Sequence, residues 1–112
     1  MKAVFVELPA FQRLRPNYLD DDEFRGLQNA LTKNPEHGDV IEGTGGLRKL
    51  RYGDARRGKG KSGGLRVIYY WWDGGSQFWL FTLYNKNEAN DLSPDERKAL
   101  RSMLKRELEF RR

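Results

Sequence analysis

The chain has 112 residues, a net charge of +5, 12% aromatic residues and no cysteine. That is enough for one hydrophobic core, and the lack of cysteine excludes a disulfide framework, a thiolate nucleophile and Cys-ligated zinc, which suits a reducing cytoplasm. The apolar runs fall far short of the roughly 20 residues of a membrane helix, and MKAVFVELP has no signal-peptide layout, so one soluble cytoplasmic domain over residues 1–112, with no membrane partner, is expected.

In chain order, AVFVE over residues 3–7 reads as an opening strand, and FQRLRP is at most a brief helical turn stopped by Pro16. YLDDDEFRGLQNAL carries a stronger signal. Asp20 stands as an N-cap with Glu23 three positions on, and Leu19 and Phe24 are spaced as a hydrophobic staple. Phe24, Leu27, Ala30 and Leu31 form one apolar stripe, and the helix should end before Asn34-Pro35.

From Gly46 the period becomes extended. In GLRKLRY, Lys49 and Arg51 share one face while Arg48, Leu50 and Tyr52 share the other. LRVIYYWW and QFWLFTLY, joined by DGGS, read as an antiparallel hairpin that is apolar on both faces and so central to a sheet. Tyr69, Tyr70, Trp71, Trp72, Trp79 and Phe81 therefore belong to the core more than to a base-stacking platform. The last helix opens with Ser93 as N-cap, Pro94 at its first position and Glu96 completing a capping box, and it buries Leu100, Met103 and Leu104, with Leu108 at the end of the stripe. These elements predict a small α+β domain: an antiparallel sheet with helices packed on one face, and a C-terminal helix.

Charge is unevenly spread along this frame. Residues 1–42 carry a net −3, residues 43–72 a net +7 and residues 73–112 a net +1. The excess points to a localised polyanion-binding face, its plain alternative being a solvated basic loop. Its densest part, RRGKGKSGGLR at residues 56–66, lies between two strands and so forms a hairpin tip. It lacks the GxxxxGK[ST] spacing and the following helix of a Walker loop. It suits a basic loop that clamps a phosphate backbone, with Lys59 and Lys61 as point charges.

GTGGLRKLR, GKGKSGGLRVIYYW and FTLYNKNEANDLSPDE, in that order, resemble the RelE/HigB superfamily of toxins from bacterial type II toxin–antitoxin modules. The nearest likeness is to the HigB-like branch, with its GGLRK, GKGKxGGxRxIYY and YxKNE strings, and it runs from AVFVE to the last helix. The resemblance implies a RelE/ParE-like fold and a ribosome-dependent mRNA endonuclease, an mRNA interferase that uses neither metal nor cofactor. The implied partners are the ribosome, mRNA and a cognate antitoxin, expected to be of the helix-turn-helix type.

It also implies a site. Lys49 and Arg51 stand where family members keep a catalytic basic pair, and Arg66 where they keep the arginine that holds the transition state. Lys86 and Glu88 belong to the YxKNE segment. Two positions depart from the RelE-type pattern: Asn87 replaces an arginine, and Ser93 stands near where a functional tyrosine is found.

The residues suit the chemistry. Metal-free RNA cleavage deprotonates a 2′-OH, stabilises a phosphorane and protonates the leaving 5′-oxygen. Lys49, Arg51, Arg66 and Lys86 form the candidate catalytic set, and a lysine surrounded by other cations is suited to act as a base. Arg48, Arg56, Arg57, Lys59, Lys61 and Glu88 are candidate contacts to RNA or ribosome.

Each also has an ordinary role open to it: Lys49 and Arg51 as solvated cations, Arg66 paired with Asp73, and the lone His37 as an exposed loop residue. Two other functions fit the same fold and charge, a ParE-like toxin that binds DNA gyrase and an RNA- or ribosome-binding protein without chemistry.

Overall fold

The computed structural model describes residues 2–53, 64–88 and 91–111. Strand β1 (Val4–Glu7) leads into helix α1 (Pro9–Leu14), a 3-10 turn (Arg15–Asn17) and helix α2 (Asp21–Lys33). Strands β2 (Asp39–Val40), β3 (Arg48–Tyr52), β4 (Leu65–Trp72) and β5 (Gln77–Asn85) follow, and helix α3 (Pro94–Arg111) closes the chain.

Local chemistry explains the boundaries. The Asp20 carboxylate accepts from the Glu23 N–H at 2.7 Å while the Glu23 carboxylate accepts from the Asp20 N–H at 2.9 Å, the reciprocal capping box expected of this stretch. Ser93 and Glu96 repeat it at the start of α3, at 3.1 and 2.8 Å. α1 is longer than a single turn because Pro9 occupies its first turn, where a fixed φ helps and a missing N–H costs nothing.

The sheet runs β1-β5-β4-β3-β2. All pairings are antiparallel except β1 with β5, so it is mixed where a wholly antiparallel sheet was expected. The cause is the crossover through α1 and α2, which returns the chain so that β1 points the same way as β3 and β5.

Helices cover both faces. α1 and α2 bring Phe11, Leu27 and Leu31 onto Leu50, Val67, Tyr69, Phe78, Leu80 and Leu83. α3 packs on the opposite face, where Leu100 and Leu104 join Leu47, Ile68, Trp79 and Phe81. Packing on one face alone describes α1 and α2 only. β4 and β5 are apolar on both sides because both sides are covered. No helix among the described residues is long and apolar enough to cross a membrane.

The β4–β5 ladder shifts register between Ile68 and Tyr69, where Ile68 faces Thr82 but Tyr69 faces Leu80. Phe81 is thus an extra residue on β5. It inverts the inside–outside parity of the rest of the strand. Trp79 and Phe81 lie in the α3-side core, yet Leu83 lies with Leu80 on the α2 side, which turns Tyr84 to the α3 side.

Tyr69 ties the sheet to the segment after α2. Its buried hydroxyl donates to the Pro35 carbonyl at 2.8 Å and accepts from the Gly38 N–H at 2.9 Å. Tyr69→Phe should cost about 1–3 kcal/mol in urea denaturation, because it leaves both backbone groups short of a partner away from water. A variant as stable as wild type would show that water serves those groups equally well.

Candidate functional site

The pleat sorts the basic residues of β3. Arg48 faces the α2 side, where its guanidinium donates to the Gly38 carbonyl at 2.8 Å, the Glu36 carbonyl at 3.2 Å and the Glu36 carboxylate at 3.1 Å. It fastens the loop after α2, away from the other cations of the strand. Lys49 and Arg51 point to the α3 side.

Cross-strand register then assembles a cluster. Arg51 lies opposite Arg66 on β4, and Arg66 lies opposite Tyr84 on β5. Directly opposed residues have Cβ atoms about 4.5–5.5 Å apart, so these three side chains form a row across the sheet. One step along the strands, Lys49 lies opposite Ile68. Ile68 is fully buried, Arg66 is half-buried and Arg51 is exposed, so the face passes from core to cationic surface within two residues.

Arg66 donates to the carbonyl of its neighbour Leu65 at 3.3 Å and has no acidic partner among the described residues. Asp73 follows β4 at its far end, roughly 20 Å away at strand rise, which removes the Arg66–Asp73 pair.

Lys49 has a partner. Its ammonium donates to the Asp91 carboxylate at 3.3 Å, and the second Asp91 oxygen accepts from Arg97 at 3.1 Å. Lys49 is therefore not enclosed by cations alone, as a base made by charge crowding would be. The Leu92 N–H first, then the Lys49 and Arg97 cations, hold the Asp91 carboxyl below its usual value. Asp91, Arg97 and Tyr84 lie at the site without having been singled out from sequence. A period-2 reading of QFWLFTLY puts Tyr84 on the face opposite Trp79, and only the bulge at Phe81 reverses this.

Lys86 follows β5 directly, is exposed, and its N–H donates to the Gly64 carbonyl at 2.6 Å, which extends the ladder beyond Leu65 and Asn85. Gly64 has φ +96°, and a Cβ there would meet the Asn85 amide oxygen at 3.1 Å, so glycine is required at the start of β4. Arg56, Arg57, Lys59 and Lys61 lie outside the described residues. His37 is exposed, as expected.

Glu88 belongs to the frame of the turn. Its carboxylate accepts from the Tyr18 hydroxyl at 2.5 Å and from the Asn85 N–H at 3.0 Å, while the Asn85 side chain accepts from the Asn87 N–H at 2.9 Å. These bonds hold the segment carrying Lys86 against the turn after α1. The Tyr18 bond pushes the Tyr18 phenol up to about 12 from 10.0 and, together with the Asn85 N–H, holds Glu88 below its usual 4.5.

The two shifts predict opposite pH limits. Glu88, lowered on folding, contributes stability that is present above 4.5 and is lost as pH falls through its depressed folded value. Tyr18, raised on folding, contributes stability that is present below 10.0 and is lost as pH rises through about 12. The stability gap between wild type and Glu88→Gln in urea titrations should accordingly be flat near neutrality and close at acid pH. A gap that persists unchanged in acid would refute the bond.

Two comparisons bear on identity. The free-state structure of a doubly substituted mutant of the E. coli toxin RelE superposes with a TM-score of 0.53 over 80% of this chain and 90% of that chain, at 15% sequence identity, which supports a common fold. Residues 10–112 match the family described as RelE toxin of the RelE/RelB toxin–antitoxin system. With that match spanning nearly the whole chain, the protein belongs to the RelE toxin family.

Proposed function

We propose that this toxin is a ribosome-dependent mRNA endonuclease of the HigB-like branch, cytoplasmic and held in check by a cognate antitoxin. The observation that carries the reading is the row Arg51–Arg66, with Lys49 one step behind, on a sheet face whose apolar cover ends there. Arg66 in particular is a guanidinium without an acidic partner among the described residues, fixed by the backbone of a central strand. The HigB-like assignment rests on GGLRK, GKGKSGGLRVIYY and YNKNE.

In this mechanism the RNA phosphate at the scissile bond lies against the row. The 2′-hydroxyl gives up its proton as its oxygen attacks the adjacent phosphorus, a pentacoordinate phosphorane forms, and the P–O5′ bond breaks as the 5′-oxygen takes up a proton, leaving a 2′,3′-cyclic phosphate and a 5′-hydroxyl. Charge on the non-bridging oxygens grows as this happens, so preorganised cations lower the barrier by meeting it. Arg66 suits that role because a guanidinium offers two parallel donors to two oxygens, and the sheet holds it without reorganisation. Arg51 and Lys86 add charge from either side. Lys49 comes to the phosphate by releasing Asp91, a partly exposed ion pair of a kind worth only about 0–1 kcal/mol. Glu88 acts through Lys86 by holding its turn.

Primer extension on a defined mRNA bound to ribosomes, with sedimentation for binding, tests this directly. Arg66→Ala should fold, sediment with ribosomes and cleave at least about a hundredfold more slowly, the scale for removing one transition-state donor. Arg66→Lys should recover only part of the rate, because a point charge cannot make the two-pronged contact. Normal cleavage by Arg66→Ala, or equal loss of binding and cleavage, would remove Arg66 from the chemistry. An early block in DNA synthesis with intact mRNA after induction would favour the gyrase reading instead.

A further inference from the structure

Among the described residues only two buried side-chain polar atoms lack a hydrogen-bond partner, the Tyr84 hydroxyl oxygen and Arg97 Nε. Both belong to the cationic site: Tyr84 completes the row with Arg51 and Arg66, and Arg97 shares Asp91 with Lys49. An unmade bond on a buried hydroxyl is a standing cost, and phenylalanine would fill the same space without it. Elsewhere the chain provides for such groups, since Tyr69 makes two bonds through its hydroxyl and Tyr18 one. The orphan lies where the Phe81 bulge has turned Tyr84 toward the cations, although uninterrupted alternation would have sent it to the α2 side.

We propose that Tyr84 is a further catalytic residue whose phenolic O–H donates to a non-bridging oxygen of the scissile RNA phosphate, in line with Arg51 and Arg66. The proposal rests on the endonuclease reading and adds a neutral donor to a site otherwise made of cations. Burial pushes the phenol up, against the opposing effect of Arg66, so the group keeps its proton and serves as a donor. No bond is made or broken at Tyr84; the proton stays on its oxygen throughout. The acids that act on the hydroxyl, Asp91 and Glu96, are exposed, and the Asp91 ion pairs are of the weak surface kind that an incoming phosphate displaces. With the phosphate bound, the unmade hydrogen bond of the free protein is made.

Stability and activity should move in opposite senses, which separates this role from a structural one. Tyr84→Phe should unfold at the same temperature as wild type or higher, sediment with ribosomes normally, and cleave bound mRNA about tenfold to a hundredfold more slowly at saturation. Tyr69→Phe, the same change at a satisfied hydroxyl on the neighbouring strand, should lower the unfolding temperature and leave the saturated rate unchanged. Normal cleavage by Tyr84→Phe, or a loss of thermal stability like that of Tyr69→Phe, would overturn the proposal. A second readout does not need turnover. In protein labelled with 13C at the tyrosine ζ carbon, the resonance that Tyr84→Phe deletes should shift on titration with a 2′-O-methyl RNA oligonucleotide, which cannot be cut, at concentrations where the Arg66 guanidinium signals show it bound. A shift in a wild-type protein that fails to cleave would retain Tyr84 as a phosphate donor and reject the endonuclease reading; an unmoved resonance would reject Tyr84.

Discussion

The pleat of β3 decides what each of its cations can do. Arg48, Lys49 and Arg51 lie within four residues, yet the two-residue period sends the first into hydrogen bonds with the loop after α2 and the other two to the α3 side. A slip of one residue would exchange these roles, exposing Leu50 among the cations and placing Lys49 and Arg51 against the α2 core. The register is held because Leu50 and Tyr52 pack with α2 while β4 is buried between two helical layers.

Everything at the site is referred to that register. β4 presents Arg66 to Arg51, and β5 presents Tyr84 to Arg66 only because its bulge reverses parity after Phe81. The segment leading to α3 contributes Asp91, and the first turns of α3 contribute Arg97, so the helix that closes the α3-side core also contributes an ion pair to the edge of the cationic surface. The Tyr18–Glu88 bond joins the turn after α1 to the turn after β5 and steadies the backbone of Lys86. Long-range contacts thus converge on a surface of a few side chains, a rigid mounting of the kind a transition-state donor requires.

Much of this was legible in residue order. Both capping boxes, the helical stripes, the central β4–β5 hairpin and the opposite faces of Arg48 and Lys49 follow from local periodicity and side-chain chemistry, and they are present. The parallel pairing of β1 with β5 was not, because the crossover that sets it is a property of the whole chain path. Nor was the second helical layer: an amphipathic stripe says that α3 is covered, not which sheet face covers it. Of the candidate site residues, Lys49 and Arg51 were singled out because they share a face and a charge, and Arg66 through the family resemblance. Tyr84 was missed because a bulge has no strong mark in QFWLFTLY, and Asp91 because an acid in a basic cluster is visible only once the chain has folded back over it.

The Arg51–Arg66–Tyr84 row is proposed to meet the scissile phosphate. The most direct test is a structure of the toxin on a ribosome carrying mRNA made uncleavable by 2′-O-methylation at the cut site. That phosphate should lie within hydrogen-bond distance of the Arg66 guanidinium and the Tyr84 hydroxyl, with Lys49 released from Asp91. An mRNA path along the α2 side, or a scissile phosphate that neither Arg66 nor Tyr84 touches, would contradict it.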